Sequence, residues 1–321
     1  MAETLVDVGL LKDFERQLDP RYPEQGAIPA RILGYGEIST VFELGTESGL
    51  AFKRLPIFRR LDEMERYSHI YREYNRLLAD DIGLMLPPHG ITYFEQDGRI
   101  VCFLYQEKLP SQSIGSRAIH LLPDEGVITL VRLVLRQLAK VWDFNSAQQL
   151  YRVGIDGQIS NWALAGGDAS APSVSEDSAL YYLDTSTPLY RVDGVEQIDP
   201  ELFLRSAPSF LVWLIRMLFL EDVVTRYYDF RLVAIDLVAN FYKEQRAELI
   251  PALLDTVNDF FGSERPDLAL APVTEKEVRS YYREDALIWR LYLGARKLDR
   301  FLRTRLTRRG YPYILPGKIS R

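Results

Sequence analysis

The chain has 321 residues, enough for one large domain or two packed lobes, and its 47% hydrophobic and 26% charged residues exclude a disordered, collagen-like or disulfide-built protein. The single cysteine, Cys102, can close no intrachain disulfide and leaves no thiolate set for structural zinc, which suits a reducing cytoplasm. A net charge of -6 gives no global argument for nucleic-acid binding, and no nucleic-acid partner is expected.

At the N-terminus no basic region leads into an apolar stretch, so a secretory signal is not expected. Leu10 to Leu18 carries apolar residues at helical spacing and stops at Asp19-Pro20, a short leading helix. The period then changes. Ala30–Leu33, Thr40–Leu44 and Leu50–Leu55 are short, rich in β-branched and aromatic residues, and separated by glycine-bearing turns, which predicts three antiparallel strands. Helical spacing returns from Leu61 to Leu78, ahead of Pro87-Pro88. Ile91–Phe94 and Ile100–Tyr105 flank Asp97-Gly98, a strong hairpin signal. The first third therefore reads as a five-stranded antiparallel sheet with one helix between the third and fourth strands.

Beyond Pro110 the character is helical. Val127 to Leu138 is apolar nearly all round, as in a buried helix. Two strand-like pieces, around Ile159–Leu164 and Leu180–Leu183, bracket a Gly/Asp/Ser/Ala-rich loop from Gly166 to Ser178. From Pro200 onward helix follows helix. The longest apolar run, Phe210 to Ile215, is stopped by Arg216 and is too short to span a bilayer. Thr274 and Glu277 have capping-box spacing and open a last long helix carried toward Arg309.

Several residues have the chemistry of a phosphate site. Gly34-Tyr-Gly36 lies between two predicted strands, where glycines let backbone N–H groups approach a polyphosphate, although a hairpin turn needs glycines too. A helix does not follow, so this is no Rossmann fingerprint. Lys53 sits inside a strand, and Glu73 on the next helix has the reach to pair with it; an edge-strand lysine and a solvated carboxylate are the plainer readings, with Glu63 and Glu65 as competitors. In the second half, Asp156 and Asn161 stand five residues apart, and Asp184 ends an apolar strand. Asn161 and Asp184 supply two hard oxygens of the kind magnesium takes alongside phosphates, and Asp156 is then free to orient or deprotonate a hydroxyl. As loop caps, both aspartates would be merely structural. The histidines His69, His89 and His120 are scattered without metal spacing, and no Gly-x-Ser-x-Gly elbow is present.

In this order, a Gly-rich strand turn, a strand Ala51-Phe-Lys53, a helix Glu73, a hinge after a fifth strand, Asp156-x4-Asn161 and a strand-terminal Asp184, the chain resembles the protein-kinase-like superfamily. It is nearest the small-molecule branch of aminoglycoside phosphotransferases and choline kinases, over about residues 30–190. The resemblance implies an α+β, two-lobe protein-kinase-like fold: a leading helical segment (1–29), a sheet lobe (30–106) and a mostly helical lobe (107–321). It implies that Gly34 and Gly36 cover the ATP phosphates, that Lys53 holds the α- and β-phosphates and that Glu73 anchors Lys53. Gln106, Glu107 and Lys108 would form the hinge whose backbone meets adenine. Asp156 would be the catalytic base, and Asn161 and Asp184 the magnesium ligands.

The chain departs from the family at four points. The third loop glycine is Ser39, the histidine two before the catalytic aspartate is Gly154, Asp-Phe-Gly is Asp184-Thr-Ser186, and the Gly166–Ser178 loop lengthens the interval to Asp184. The expected function is transfer of the γ-phosphoryl of ATP to a hydroxyl of a small molecule in the cytoplasm. The rival is a pseudokinase that binds nucleotide as a scaffold, and nucleotidyl transfer is a third option. From Lys276 to Arg321 there are 13 basic and 4 acidic residues. This basic helix, with Arg296, Lys297, Arg300, Arg303, Arg305, Arg308 and Arg309, is either a solvated face or a docking face for an anionic partner or membrane surface.

Overall fold

Strand alternation sets the architecture. The computed structural model describes residues 6–35, 39–45, 49–166, 171–199, 201–205, 225–305 and 311–315. Gly36, the apolar run from Phe210, part of the Gly166–Ser178 loop, Arg308 and Arg309 lie outside these residues. Strands β1 (Ala30–Tyr35), β2 (Thr40–Leu44), β3 (Leu50–Leu55), β4 (His89–Gln96) and β5 (Arg99–Glu107) form an antiparallel sheet in the order β1-β2-β3-β5-β4. The β4–β5 turn carries Asp97 at φ 53° and Gly98 at φ 69°, the two left-handed residues that a right-twisted two-residue hairpin requires.

Because side chains alternate, each face of this sheet finds its own cover. Phe42, Phe52 and Phe103 pack with Leu11 and Phe14 of α1 (Val8–Gln17). Leu55, Cys102 and Leu104 pack on the other face with Met64, Tyr67 and Tyr71 of α2 (Leu61–Arg76). The leading helix is thus part of the sheet's own core. So is the far end of the chain: Tyr311, Tyr313 and Leu315 join the α2 side and Ile314 the α1 side. Buried Arg54 ties all three together, with both terminal nitrogens and Nε used: Nε and Nη2 reach Glu15 of α1 at 2.6 Å and Nη1 reaches Pro312 O at 2.8 Å.

The rest of the chain is mainly helical. After the single turn α3 (Gly115–Ala118), α4 (Asp124–Ala147) buries Val127, Leu130, Val131, Val134, Leu135 and Leu138 against α6 (Phe230–Lys243) and α7 (Ile250–Asp259). Three short strands that the sequence did not announce, β6 (Tyr151–Val153), β9 (Tyr190–Val192) and β10 (Val195–Glu196), form a small sheet. Strands β7 (Trp162–Leu164) and β8 (Leu180–Tyr182) pair with each other, and α5 (Glu201–Leu204) follows β10. The last helix, α8 (Glu275–Arg305), packs on α6. Its capping box is formed: Thr274 N donates to Glu277 Oε2 at 2.9 Å and Glu277 N to Thr274 Oγ1 at 3.4 Å. The protein is therefore α+β, a five-stranded antiparallel sheet followed by a helical C-terminal part. No helix among the described residues is long and apolar enough to cross a membrane.

Candidate functional site

Lys53 occupies the middle of β3, opposite Val41 on β2 and Leu104 on β5, so its side chain emerges on the α2 face of the sheet. There Nζ donates to Asp184 Oδ1 at 2.8 Å and to Ser186 Oγ at 2.6 Å. Asp184 stands two residues beyond β8. Its position follows from β7–β8 pairing extended by one bond, Leu183 N to Asn161 O at 2.8 Å, which sets Asn161 and Asp184 side by side on adjacent segments. Ser186 bends back, and its N and Oγ both donate to Asp184 Oδ1, at 3.1 and 2.7 Å. Burial alone would raise the Asp184 carboxyl, but the Lys53 ammonium and the Ser186 donors outweigh it and hold it below the ordinary carboxylate value.

The loop before β7 carries Asp156. Gly154 is fixed on both sides: its N donates to Leu189 O at 2.9 Å, and Tyr74 Oη donates to its carbonyl at 2.9 Å. A Cβ at Gly154 would stand 3.1 Å from both Tyr227 O and Tyr228 Cε1, a tight contact that any side chain there would have to push back. Gln158 N donates to Asp156 Oδ1 at 3.0 Å, a tight local turn, and Asn161 Nδ2 reaches Asp156 O at 3.4 Å. Burial pushes the Asp156 carboxyl up to about 6, and the charge of Asp184 adds to it, against the Gln158 amide and the Lys243 ammonium.

A polar face of α6 supports this loop. Asp236, Asn240 and Lys243 recur at spacings of four and three, which puts them on one side of an otherwise apolar helix. Gln158 is their common partner. Its Nε2 donates to Asp236 Oδ2 at 3.4 Å, while its Oε1 accepts from Asn240 Nδ2 at 3.3 Å and Lys243 Nζ at 3.1 Å. Burial raises the Asp236 carboxyl well above its usual value, with the charges of Asp156 and Asp285 adding to the effect. Sequence reasoning missed Ser186, Gln158, Asp236, Asn240 and Lys243. Only the last three left a trace of a role, as polar residues at helical spacing in an apolar segment.

The structure brings Lys53, Asp184 and Asn161 into one region with Asp156, and it separates others. Glu73 does not anchor Lys53. Its carboxylate takes Arg76 Nη2 at 2.9 Å and Nε at 3.1 Å, with Tyr151 Oη at 3.3 Å. The reason is helical phase: Tyr67, Tyr71 and Tyr74 form the buried stripe of α2, and Glu73 lies about 100° round the helix from Tyr74 and about 160° from Tyr71, off that stripe. Neither competitor replaces it among the described contacts of Lys53: Glu63 is taken by Arg205 at 2.7 Å, and Glu65 is exposed.

The expected hinge is also differently used. Gln106 lies in the β3–β5–β4 ladder, Glu107 N donates to Pro88 O at 2.7 Å and Lys108 N to Gly49 O at 2.7 Å, so these two N–H groups are already occupied. The Lys108 side chain pairs with Glu43. Gly34 stands at a register shift between β1 and β2, and a Cβ there would meet nothing within 4 Å.

For magnesium the donor chemistry fits. Every described hydrogen bond to the Asp184 carboxylate converges on Oδ1, leaving Oδ2, and Asn161 adds an amide oxygen from the neighbouring segment; both are hard oxygens. Among the described residues no three His, Cys, Asp or Glu side chains are grouped to hold a metal by themselves.

No curated protein matches the chain. Among solved structures it is similar to one titled "WaaP in complex with acyl carrier protein", at 14% identity and a TM-score of 0.31, covering 71% of this chain and 90% of that one. Over residues 20–301 the chain matches the family described as "Family of unknown function (DUF6206)", and it belongs to that family.

Proposed function

We propose that the protein is a two-lobed, kinase-like phosphotransferase that moves the γ-phosphoryl group of ATP to a hydroxyl of a small-molecule acceptor. The observation that carries this reading is the contact from the middle of β3 to the end of β8, Lys53 Nζ to Asp184 Oδ1 at 2.8 Å. A strand ammonium and a strand-terminal carboxylate meet beside an amide and a second, raised carboxylate. This is the minimum set for holding a polyphosphate and accepting a proton.

In the chemistry proposed, Lys53 exchanges Asp184 for phosphate oxygens when nucleotide enters. Asn161 and the released Asp184 would hold magnesium, which supplies neutralisation of the phosphate charge. Asp156 accepts the proton of the acceptor hydroxyl as its oxygen bonds to the γ-phosphorus, and the bond from that phosphorus to the β–γ bridging oxygen breaks to leave ADP. A carboxyl near 6 suits a base that must be unprotonated near neutrality yet able to take a proton. Gln158, held by Asp236, Asn240 and Lys243, positions Asp156.

A second reading, nucleotide binding without transfer, is favoured by the Glu73–Arg76 pair and the occupied N–H groups of Glu107 and Lys108. Thermal unfolding with ATP and magnesium, against ATP with EDTA, tests the site common to both. Stabilisation that needs the metal supports it, and equal or absent shifts at saturating nucleotide reject it. A screen of hydroxyl acceptors for ADP release then divides transfer from binding.

A further inference from the structure

The outward face of α8 carries two parallel rails. Leu287, Leu291, Leu298 and Phe301 are 52, 49, 45 and 57% exposed, large values for such side chains. At about 100° per residue they fall within an arc of about 80°, and they run about 21 Å along the helix. Beside them Arg283, Arg290 and Lys297 repeat every seven residues, all exposed, and among the described residues none of the three makes an ion pair. The opposite face is spent on the protein: Ala286, Trp289, Ala295, Arg296 and Asp299 are buried. Arg296 lies over the rings of Tyr292 and Tyr313, at 5.5 and 5.4 Å, and Arg303 pairs with Asp299 at 2.9 Å. The basic helix is therefore neither uniformly solvated nor uniformly available.

Charge decides what covers the apolar rail. From residue 286 to 305 the sole acid is Asp299, which is buried. Over residues 286–305, two copies of α8 packed rail to rail, parallel or antiparallel, would bring Arg and Lys opposite Ile288 and Leu302 or opposite each other with no exposed acid to pair, and Glu284, the exposed acid beside the rail, is already held by Arg226 at 3.3 Å. Gly294 would add a gap in the seam. A surface that is apolar beneath and anionic above satisfies both rails at once.

We propose that this face of α8 lies on an anionic lipid surface. Leu287, Leu291, Leu298 and Phe301 enter the boundary of the acyl chains, and Arg283, Arg290 and Lys297 meet the headgroup anions. The helix lies in the plane rather than across it. The inference is independent of phosphoryl transfer.

The test is cosedimentation of the full chain with phosphatidylcholine vesicles and with phosphatidylcholine–phosphatidylserine vesicles, at low and high salt. Binding to the anionic vesicles should be tighter by at least about tenfold at low salt, and the preference should fade with salt. Arg290→Gln with Lys297→Gln should remove most of it. Leu291→Gln with Leu298→Gln should weaken anionic binding by about tenfold, while thermal unfolding stays as in the wild type, since both side chains are exposed. Independently of those variants, Phe301→Trp should shift its emission to the blue and be quenched by brominated lipid only with anionic vesicles. Equal binding to both vesicles, no binding at low salt, or an unshifted Trp overturns the proposal. A lipid-free dimer that Leu291→Gln with Leu298→Gln dissolves assigns the face to a second copy instead and also overturns it.

Discussion

Lys53 Nζ lies 2.8 Å from Asp184 Oδ1 across 131 positions of sequence, and Ser186 Oγ, 2.6 Å from the same nitrogen, closes the arrangement into a triangle. The triangle joins the five-stranded sheet to the β7–β8 pair. Lys53→Met should abolish stabilisation by ATP and magnesium and should cost the free protein about 1–2 kcal/mol, since a half-buried carboxylate loses its cation. Glu73→Gln should leave that stabilisation near the wild-type value, because Glu73 serves Arg76. Titrating ATP into both variants during thermal unfolding checks the pair. A Glu73→Gln variant that behaves like Lys53→Met would return Glu73 to the site.

Asp156 and Asp184 separate by substitution. Asp184→Asn should impair metal-dependent nucleotide binding, because a charged oxygen donor becomes neutral. Asp156→Asn should leave binding nearly intact and lower phosphoryl transfer, or slow hydrolysis of ATP to water, by about two to four orders of magnitude. Calorimetric binding of ATP with magnesium, beside ADP release, reads both. If the two variants bind like wild type, the roles given to these aspartates are wrong.

Acid stability should depend on Glu63. Its carboxyl, held by the Arg205 guanidinium, is lowered from 4.5 to about 2, against the opposing effect of burial. A depressed folded pKa stabilises above the unfolded value, so the contribution is complete above about pH 4.5 and fades as pH falls toward about 2. Glu63→Gln should therefore be less stable than wild type by about 2 kcal/mol at neutral pH, with the gap closing in that acid window. Denaturant unfolding across the range measures it, and a gap that is unchanged at low pH would assign the effect to packing.

Arg54 should be the costliest single residue to leave unpaired. Its side chain is 5% exposed and its partner Glu15 11%, so the pair is nearly dry. Glu15→Ala should destabilise the fold by about 3–5 kcal/mol, because the guanidinium stays buried without its carboxylate. Arg54→Met with Glu15→Met should recover much of that loss. A double variant no more stable than Glu15→Ala would show that the pair contributes more than the absence of an unpaired charge.

The sequence by itself determined whatever depends on near neighbours. Short runs of β-branched and aromatic residues between glycine-bearing turns predicted the five strands, Asp97-Gly98 the hairpin, and Thr274 with Glu277 the start of α8, because backbone twist and capping bonds act over two to four residues. It also identified Lys53 as a strand residue, set Asn161 five residues after Asp156 within a strand-like piece, and placed Asp184 at the end of another. Tertiary structure decided who meets whom. Glu73 satisfied every spacing for a Lys53 partner, but the phase of α2 turned three tyrosines inward and left it to Arg76. Ser186 stood out only as a departure from Asp-Phe-Gly, and its role was hidden because it depends on Lys53 arriving from a strand more than a hundred residues earlier. Asp236, Asn240 and Lys243 acquired meaning only when α6 packed beneath the Asp156 loop. Residues 311–315 pack on the faces of the sheet because Arg54 and the apolar clusters of both faces accept them, a choice made by burial and charge satisfaction in three dimensions that no local pattern encodes.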